Sequence, residues 1–107
     1  MLELISVSLV LRLLEKEEKY GYQIISELKD KSDEMFSLKE GTLYPILYRM
    51  EDDELVQSRW SEPKGKEVSR KYYAIKQKGK NSLDELKELW IKFSKNVILI
   101  IEESDYE

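Results

Sequence analysis

The chain has 107 residues, a formal net charge of −4, and neither cysteine nor histidine. Its length suits one compact domain with a modest core. Without cysteine or histidine, disulfide frameworks, thiolate zinc sites and catalysis by a thiol or an imidazole are excluded, and we expect no metal and no cofactor.

The first predicted element is a helix over residues 3–16 that is apolar on most faces and therefore buried on more than one side. The segment lacks a basic leader and a small-residue cleavage site, so we interpret it as structural and not as a secretory signal. The longest apolar run, Val97 to Ile101, is too short to span a bilayer. We therefore expect a soluble, cytoplasmic protein that does not enter a membrane.

Two further helices follow. Gly21 is a plausible N-cap for the second, whose apolar stripe contains Ile24 and Leu28. The capping-box spacing of Ser37 and Glu40 predicts the start of the third. The buried stripe of the third helix comprises Leu43, Ile46, Leu47 and Met50. On a helical wheel the opposite, outward face carries Gly41, Pro45, Tyr48 and Asp52, flanked by Thr42 and Arg49 on one side and Tyr44 on the other.

Gly41 and Pro45 are unusual residues for the start of a helix. The Pro45 ring would clash with the carbonyl group of residue 41, and glycine is the residue best able to adjust there, so we expect a kinked or tightened first turn. The amides of such a turn can face an anion such as a phosphate. In the alternative interpretation residues 40–44 form a loop and the helix begins at Pro45.

Residues 55–60 and 68–75 are rich in Val, Tyr, Ile and Trp and are predicted to be strands, joined by a turn that contains Pro63 and Gly65. A long helix begins at about Gln77. The fold predicted is mainly α with a two-stranded β-wing: a winged helix-turn-helix over residues 1–76, followed by a C-terminal dimerisation helix over 77–107. In this arrangement the third helix enters the major groove of DNA.

The distribution of charge along the chain favours DNA binding, whereas the negative net charge does not. Residues 38–80 carry +3, whereas residues 1–37 carry −3 and residues 81–107 carry −4. A basic patch on an acidic protein can bind phosphates, although such a run is also typical of an ordinary solvated surface. Our candidates for base edges and nearby sugar-phosphate are Thr42, Tyr44 and Tyr48. Our candidates for phosphate contacts are Lys39, Arg49, Lys64, Lys66, Arg70 and Lys71.

The last helix is apolar on two sides. One stripe, with steps of three and four residues, comprises Leu83, Leu86, Trp90, Phe93, Val97 and Ile100, and a second comprises Leu89, Ile98 and Ile101. One side can pack on the first helix of the same chain, and the other can pack on an identical subunit. We therefore expect a homodimer formed through the first and last helices; the alternative is that both stripes are buried within one chain.

The segments YGYQIISEL, EGTLYPILYRME and RKYY resemble the PadR family of bacterial transcriptional regulators, in a short form with a single C-terminal helix. The resemblance implies a homodimeric repressor that binds an inverted-repeat operator on double-stranded DNA and is released by a small molecule. Three positions depart from the family pattern. Glu54 stands where Gly is common, Val68 and Ser69 stand where arginines precede the wing motif, and Lys76 stands where Thr commonly caps the last helix.

The resemblance also implies a ligand site. In multidrug-responsive members a tryptophan at the position of Trp90 stacks on flat aromatic molecules between the subunits. By this resemblance Trp90, with Phe93, Val97, Leu4 and Val7, would line an apolar pocket for a small aromatic effector. Alternatively, Trp90 is a core residue packed on Phe93 and the first helix.

The sequence bears on two other function classes, enzymes and protein-binding adaptors. The carboxylates fall in mixed charge runs and nothing arranges a nucleophile or a phosphate loop, so we expect no enzymatic activity. A winged-helix adaptor that binds proteins and not DNA remains the alternative, because the overall charge is acidic.

Overall fold

The computed structural model describes residues 2–103. Residue 1 of the predicted winged helix-turn-helix and residues 104–107 of the predicted dimerisation helix lie outside the described residues. Within this range the elements follow the predicted order with one addition. The helices are α1 (Leu2–Lys16), α2 (Gly21–Lys31), α3 (Glu40–Asp52) and α4 (Gln77–Ile101). The strands are β1 (Lys19–Tyr20), β2 (Val56–Trp60) and β3 (Lys71–Ile75). No helix within residues 2–103 is both long enough and apolar enough to cross a bilayer.

The sheet has three antiparallel strands in the order β1-β3-β2. The predicted two-stranded wing is present as β2 and β3, but each strand is shorter than expected, and β1 was not predicted. The register pairs Tyr72 with Tyr20 on one side and with Arg59 on the other. Side chains alternate between the faces of a strand, so Tyr73 points to the opposite face, where it is fully buried against the helices.

The core lies between the three N-terminal helices and the inner face of the sheet. Its fully buried side chains are Val10, Leu11, Leu14, Ile24, Leu43, Leu47, Met50, Val56 and Tyr73. From α4, Leu83 joins this cluster and Leu86 packs against it. All four residues of the apolar stripe predicted for α3 are buried. The opposite face of α3 therefore points away from the domain, as its helical period requires.

Both predicted N-caps are wrong. Gly21 is the first residue of α2, and the cap is Tyr20, whose N–H donates to Oε1 of Gln23 over 3.1 Å. Helix α3 is capped by Lys39 in an extended conformation, which leaves Ser37 two residues too early to cap it. The alternative start at Pro45 is also wrong, because α3 begins at Glu40.

The first turn of α3 is tightened, as expected. The amide of Thr42 donates to the carbonyl oxygen of Lys39 over 3.0 Å, an i→i−3 hydrogen bond, and Leu43 donates to the same oxygen over 2.9 Å. Because Pro45 has no N–H, the Gly41 carbonyl does not receive the usual helical hydrogen bond.

The connection from α3 to β2 is a sharp reversal. Glu54, where family members commonly have glycine, adopts a left-handed conformation with φ of 62°, which costs about 1 kcal/mol in a residue with a Cβ. The next amide, that of Leu55, donates back to the Met50 carbonyl over 2.9 Å. The carbonyl of Leu55 in turn accepts from the amide of Lys76, over 2.9 Å, at the start of α4. The end of α3, the start of β2, the end of β3 and the start of α4 therefore lie next to one another.

Candidate nucleic-acid interface

The outward face of α3 is open to solvent. Gly41, Thr42, Pro45 and Arg49 are exposed, and Tyr48 is 51% exposed. A Cβ built on Gly41 would meet no atom within 4 Å. The helix backbone is therefore accessible at its N-terminal turn, which suits close approach to another surface.

Tyr44 is held on one flank of α3 by the start of α2. Its hydroxyl oxygen lies 2.5 Å from the position that a Cβ on Gly21 would occupy, so a larger residue at position 21 would displace the Tyr44 side chain from this position. Burial raises the pKa of Tyr44, with further contributions from Glu40 and Tyr48, so the hydroxyl is neutral and can donate a hydrogen bond. The ring centroids of Tyr44 and Tyr48 are 6.2 Å apart.

The wing is closed at its base by backbone and side-chain hydrogen bonds. The amide of Ser61 donates to the Arg70 carbonyl over 2.8 Å, and the amide of Arg70 donates to the Ser61 hydroxyl over 2.9 Å. At the tip, Gly65 has a φ of 60°, which allows the turn. Lys64 and Lys66 flank Gly65 and are exposed, so the hairpin presents two ammonium groups at its end.

A row of cations and rings crosses the outer face of the sheet. The Arg70 guanidinium lies 4.4 Å from the ring centroid of Tyr20, which meets Tyr72 edge to face at 5.4 Å. Arg59 lies 5.0 Å from the Tyr72 centroid and pairs with Glu18. The hydrogen bond from Arg59 holds the pKa of Glu18 below its ordinary value, against the opposing effect of burial. The Arg70 guanidinium is thus positioned by the ring of Tyr20, a residue of β1, which is the strand that was not predicted.

Lys71 links the wing to α3. Its ammonium nitrogen lies 5.3 Å from the ring centroid of Tyr48, 5.5 Å from that of Tyr73 and 4.0 Å from Oε1 of Glu51. Glu51 also accepts a hydrogen bond from the Ser58 hydroxyl in β2. Lys71 is therefore half-buried and keeps its ammonium group near Tyr48, Tyr73 and Glu51. Lys64 and Lys66 are exposed.

Between α3 and the wing lies an open cleft of about 410 Å³, which we call the aromatic cleft. It is lined by Tyr20, Tyr22, Tyr44, Tyr48, Trp60, Ser69, Arg70 and Lys71. Tyr44, Tyr48, Arg70 and Lys71 were predicted from the sequence as DNA contacts, and the other four residues were not. The alternation of β2 places Trp60 on the same face as the buried Val56, so the strand pattern predicts burial of Trp60 and not a site.

The remaining candidates lie elsewhere. Arg49 is on the opposite flank of α3, where its Nη2 lies 2.7 Å from Oε1 of Glu3 in α1. Thr42 is on the same flank, beside a shallow depression that also includes Phe36. Lys39 is exposed at the cap of α3. The predicted set therefore spans both flanks of α3, with only part of it at the aromatic cleft.

A second, more apolar groove of about 470 Å³ lies between α1 and α4. Trp90 lines this groove and donates its indole N–H to the Ser8 hydroxyl over 2.8 Å. Phe93, exposed on α4, meets Trp90 edge to face at 5.6 Å. The other predicted ligand residues are not among the described residues that line the groove. Leu4 and Val7 are half-buried on α1, and Phe93 and Val97 are exposed on α4. Arg12 and Lys87 are the charged residues in the lining.

Titratable groups elsewhere do not suggest a metal centre. Within residues 2–103 no cluster of three or more carboxylates could hold a metal ion. The helix-turn-helix pair, the exposed third helix and the basic hairpin instead define a winged helix-turn-helix protein of the DNA-binding class.

Comparison with known proteins agrees with this class. Residues 10–85 match the model of the transcriptional regulator PadR-like family. A protein of Lysinibacillus sphaericus, described as uncharacterized, is 34% identical over 97 residues, which are 89% of this chain and 86% of that protein. A transcriptional regulator from Clostridium thermocellum is similar in structure with a TM-score of 0.79 and 30% identity, over 91% of this chain and 92% of the other.

A PadR family regulator from Clostridium difficile is similar with a TM-score of 0.77 and 33% identity, over 90% of this chain and 97% of the other. The chain belongs to the PadR-like family of transcriptional regulators. Both of these solved structures are described as transcriptional regulators.

Proposed function

We propose that the chain is a homodimeric repressor that binds an inverted-repeat operator through α3 and the wing. The observation that carries the dimer is the C-terminal half of α4, where every residue from 91 to 101 is exposed. The exposed apolar side chains there include Phe93, Val97, Ile98, Ile100 and Ile101. A surface of this kind is unfavourable in water, and a second copy related by a two-fold axis covers it.

Two-fold symmetry has a consequence for the DNA. Each subunit presents one α3, so the dimer presents two recognition helices related by the same axis. A duplex offers equivalent major-groove faces one helical turn apart, about 34 Å, which makes an inverted repeat the matching operator. A repressor role follows if this dimer occupies DNA that polymerase must enter.

The charged residues divide by their environment. Lys64 and Lys66 at the wing tip are exposed and are our first candidates for phosphate contacts. Arg70 is oriented by Tyr20, and Lys71 by Tyr48, so both are positioned before DNA arrives. Arg49 reaches a phosphate only by leaving Glu3, and an exposed pair of this kind is weak enough to exchange.

Base contacts are assigned to the outward side chains of α3. Thr42, Tyr44 and Tyr48 carry hydroxyl groups that can donate to or accept from base edges and sugar-phosphate. Gly41 and Pro45 have no long side chains, so nothing projects between these three residues to keep their hydroxyl groups away from the groove. Lys39, at the cap of α3, is placed for the phosphates that border the groove.

Selection of bound fragments from a random duplex library tests this function, followed by titration of the selected duplex against salt. Phosphate-driven binding weakens steeply as salt rises, and Lys64→Ala with Lys66→Ala should reduce the salt slope by about one unit for each lost contact. Lys29→Ala with Lys31→Ala, which removes two exposed lysines at the far end of α2, is the charge-matched control. Failure to enrich any duplex would support the adaptor alternative.

We also propose that the groove at Trp90 accepts a small planar aromatic effector. The support is its volume, its apolar lining and the position of Trp90 on α4, next to the half of that helix assigned to the dimer. Tryptophan emission is titrated separately with ethidium, a planar cation, and 2-naphthoate, a planar anion. Trp90→Phe should abolish the quenching. Quenching that persists in this variant would assign it to Trp60 and remove the proposed site.

A further inference from the structure

Trp60 is the feature of the interface that neither the core nor the charge pattern explains. Its side chain is 66% exposed, although tryptophan is among the residues that gain most from burial. On β2 it shares a face with Val56 and Ser58, and its cross-strand partner is Lys71. Val56 is fully buried at one end of this face, and Trp60 extends beyond the core at the other end.

The surroundings of Trp60 combine rings with cations. The aromatic cleft that it lines also contains Tyr48, which is half exposed, and Tyr22, which is 64% exposed. Arg70 and Lys71 lie in the same lining and give the cleft a positive charge. The partner that fits is therefore anionic and also offers an apolar surface. The sugar-phosphate strand of a duplex has both properties, because deoxyribose presents C–H groups between its phosphates.

We propose that Trp60 is a direct DNA contact, its indole packing against deoxyribose of the strand that passes between α3 and the wing. This inference rests on the proposed DNA-binding function, since the cleft is continuous with the outward face of α3 through Tyr44 and Tyr48. Tyr48 is positioned on the α3 side of the cleft, and Trp60 on the wing side. The two rings hold one strand by apolar contact while Arg70 and Lys71 bind its phosphates.

Salt distinguishes an apolar contact from an ionic one. A lysine that binds a phosphate releases counterions, so its removal changes the slope of affinity against salt. An indole that packs on deoxyribose releases none. Trp60→Ala should therefore weaken binding about tenfold at every salt concentration, as expected for an aromatic interface residue, and leave the slope unchanged. Trp60→Phe should restore most of the affinity.

The experiment uses the full chain and the duplex recovered by selection, between about 50 and about 300 mM salt, a range over which the Debye length falls from about 14 Å to about 6 Å. Val68→Ala is the matched control, because Val68 is a wing residue that is 81% exposed and lies outside the cleft lining. Circular dichroism and thermal melting establish that each variant is folded. Trp60→Ala that binds as tightly as the wild type, or that changes the salt slope as the lysine variants do, would overturn the proposal.

A direct observation complements the affinities. The chain has two tryptophans, so 5-fluorotryptophan labelling gives two ¹⁹F resonances, and the one absent from Trp60→Phe belongs to Trp60. Saturating duplex should shift that resonance and change the other less. An unmoved Trp60 resonance in a bound complex would refute the contact while leaving DNA binding intact. If the wild-type protein binds no duplex, the proposed function and this inference both fail.

Discussion

Gly79→Ala provides a sharp test of how α4 is attached to the wing. Gly79 is buried in the first turn of α4. An added Cβ would overlap the carbonyl oxygen of Leu55 and would lie 2.8 Å from Cγ1 of Ile75 and 3.1 Å from the Leu55 carbonyl carbon. The overlapping atom belongs to the backbone, and it accepts the hydrogen bond from Lys76 that begins the helix. It therefore cannot move aside as a flexible side chain would.

The expected loss combines three effects. Alanine in place of glycine favours a helix by about 1 kcal/mol. Overpacking of this kind costs about 1–3 kcal/mol, and displacement of the Leu55 carbonyl weakens a hydrogen bond worth about 1 kcal/mol. The free energy of unfolding of Gly79→Ala should therefore fall by about 1–3 kcal/mol.

Gly41→Ala is the matched control, because it is the same substitution in a helix where the new methyl group meets nothing within 4 Å. It should raise the free energy of unfolding by about 0.5–1 kcal/mol. Urea unfolding of both variants at one protein concentration, with the midpoint and slope compared, measures the two changes. A Gly79→Ala protein as stable as Gly41→Ala would show that α4 does not approach Leu55 this closely.

Two further predictions concern the dimer and the core. Phe93→Glu with Val97→Glu places two charges in the proposed seam, so sedimentation should show monomer or unfolded chain; a folded dimer would refute the seam. Burial raises the pKa of Tyr73 to about 12 from 10.0, with further contributions from Tyr48 and Glu51. The folded chain then keeps a proton that the unfolded chain loses, so stability is full below pH 10 and falls by up to about 2 kcal/mol towards pH 12. Tyr73→Phe should lack this part of the fall in urea unfolding at pH 9 and 11.5; an unchanged pH dependence would contradict it.

Tyr73→Phe has a second interest. Within the described residues the Tyr73 hydroxyl is buried without a hydrogen-bond partner. Removing an unsatisfied hydroxyl costs little and can stabilise a core, because no bond is lost. The variant should therefore be at least as stable as the wild type at pH 7.

The helices and the wing were predictable because their apolar spacing is regular. The stripe of α3 is buried as its period requires, and α4 begins at Gln77 as predicted. Strand β1 was not predictable in the same way, since two residues are too few for any alternation to be recognised. Its Lys19 is 4% exposed, and charge alone predicts the opposite.

The burial and ion pairs of Lys19 could not be predicted from the spacing of residues along the chain. Burial works to lower its pKa, but the carboxylates of Glu27 and Glu17 offset this and raise the pKa above its ordinary value. Glu27 belongs to α2, the helix that follows β1 directly, so this ion pair forms only when β1 and α2 are both folded. The capping error at Ser37 has a related cause: the spacing of a capping box was present, but the chain remained extended through Lys39.

The candidate interface was predictable by residue type and less so by location. Lysines and arginines of the wing followed from charge, and the outward face of α3 followed from its period. The position of Arg49 beside Glu3 depended on how α1 crosses α3, which the local sequence does not encode. Trp60 was not predicted because a strand pattern rich in aromatic residues predicts burial, whereas its side chain is 66% exposed at the end of β2.

The geometry at Leu55 also bears on how a ligand between subunits can act on DNA. Leu55 joins α3 to β2, and its carbonyl accepts a hydrogen bond from the amide of Lys76, the residue that caps α4, close to Gly79. Glu51, one turn earlier, is bonded to Ser58 of β2 and lies near Lys71 of β3. A change in the angle of α4 is therefore transmitted through the backbone to α3 and the wing together, not to either alone. In the proposed dimer the two recognition helices would then change their separation as rigid units. The proposed effector would release DNA only to the extent that it binds the altered dimer more tightly than the DNA-binding one.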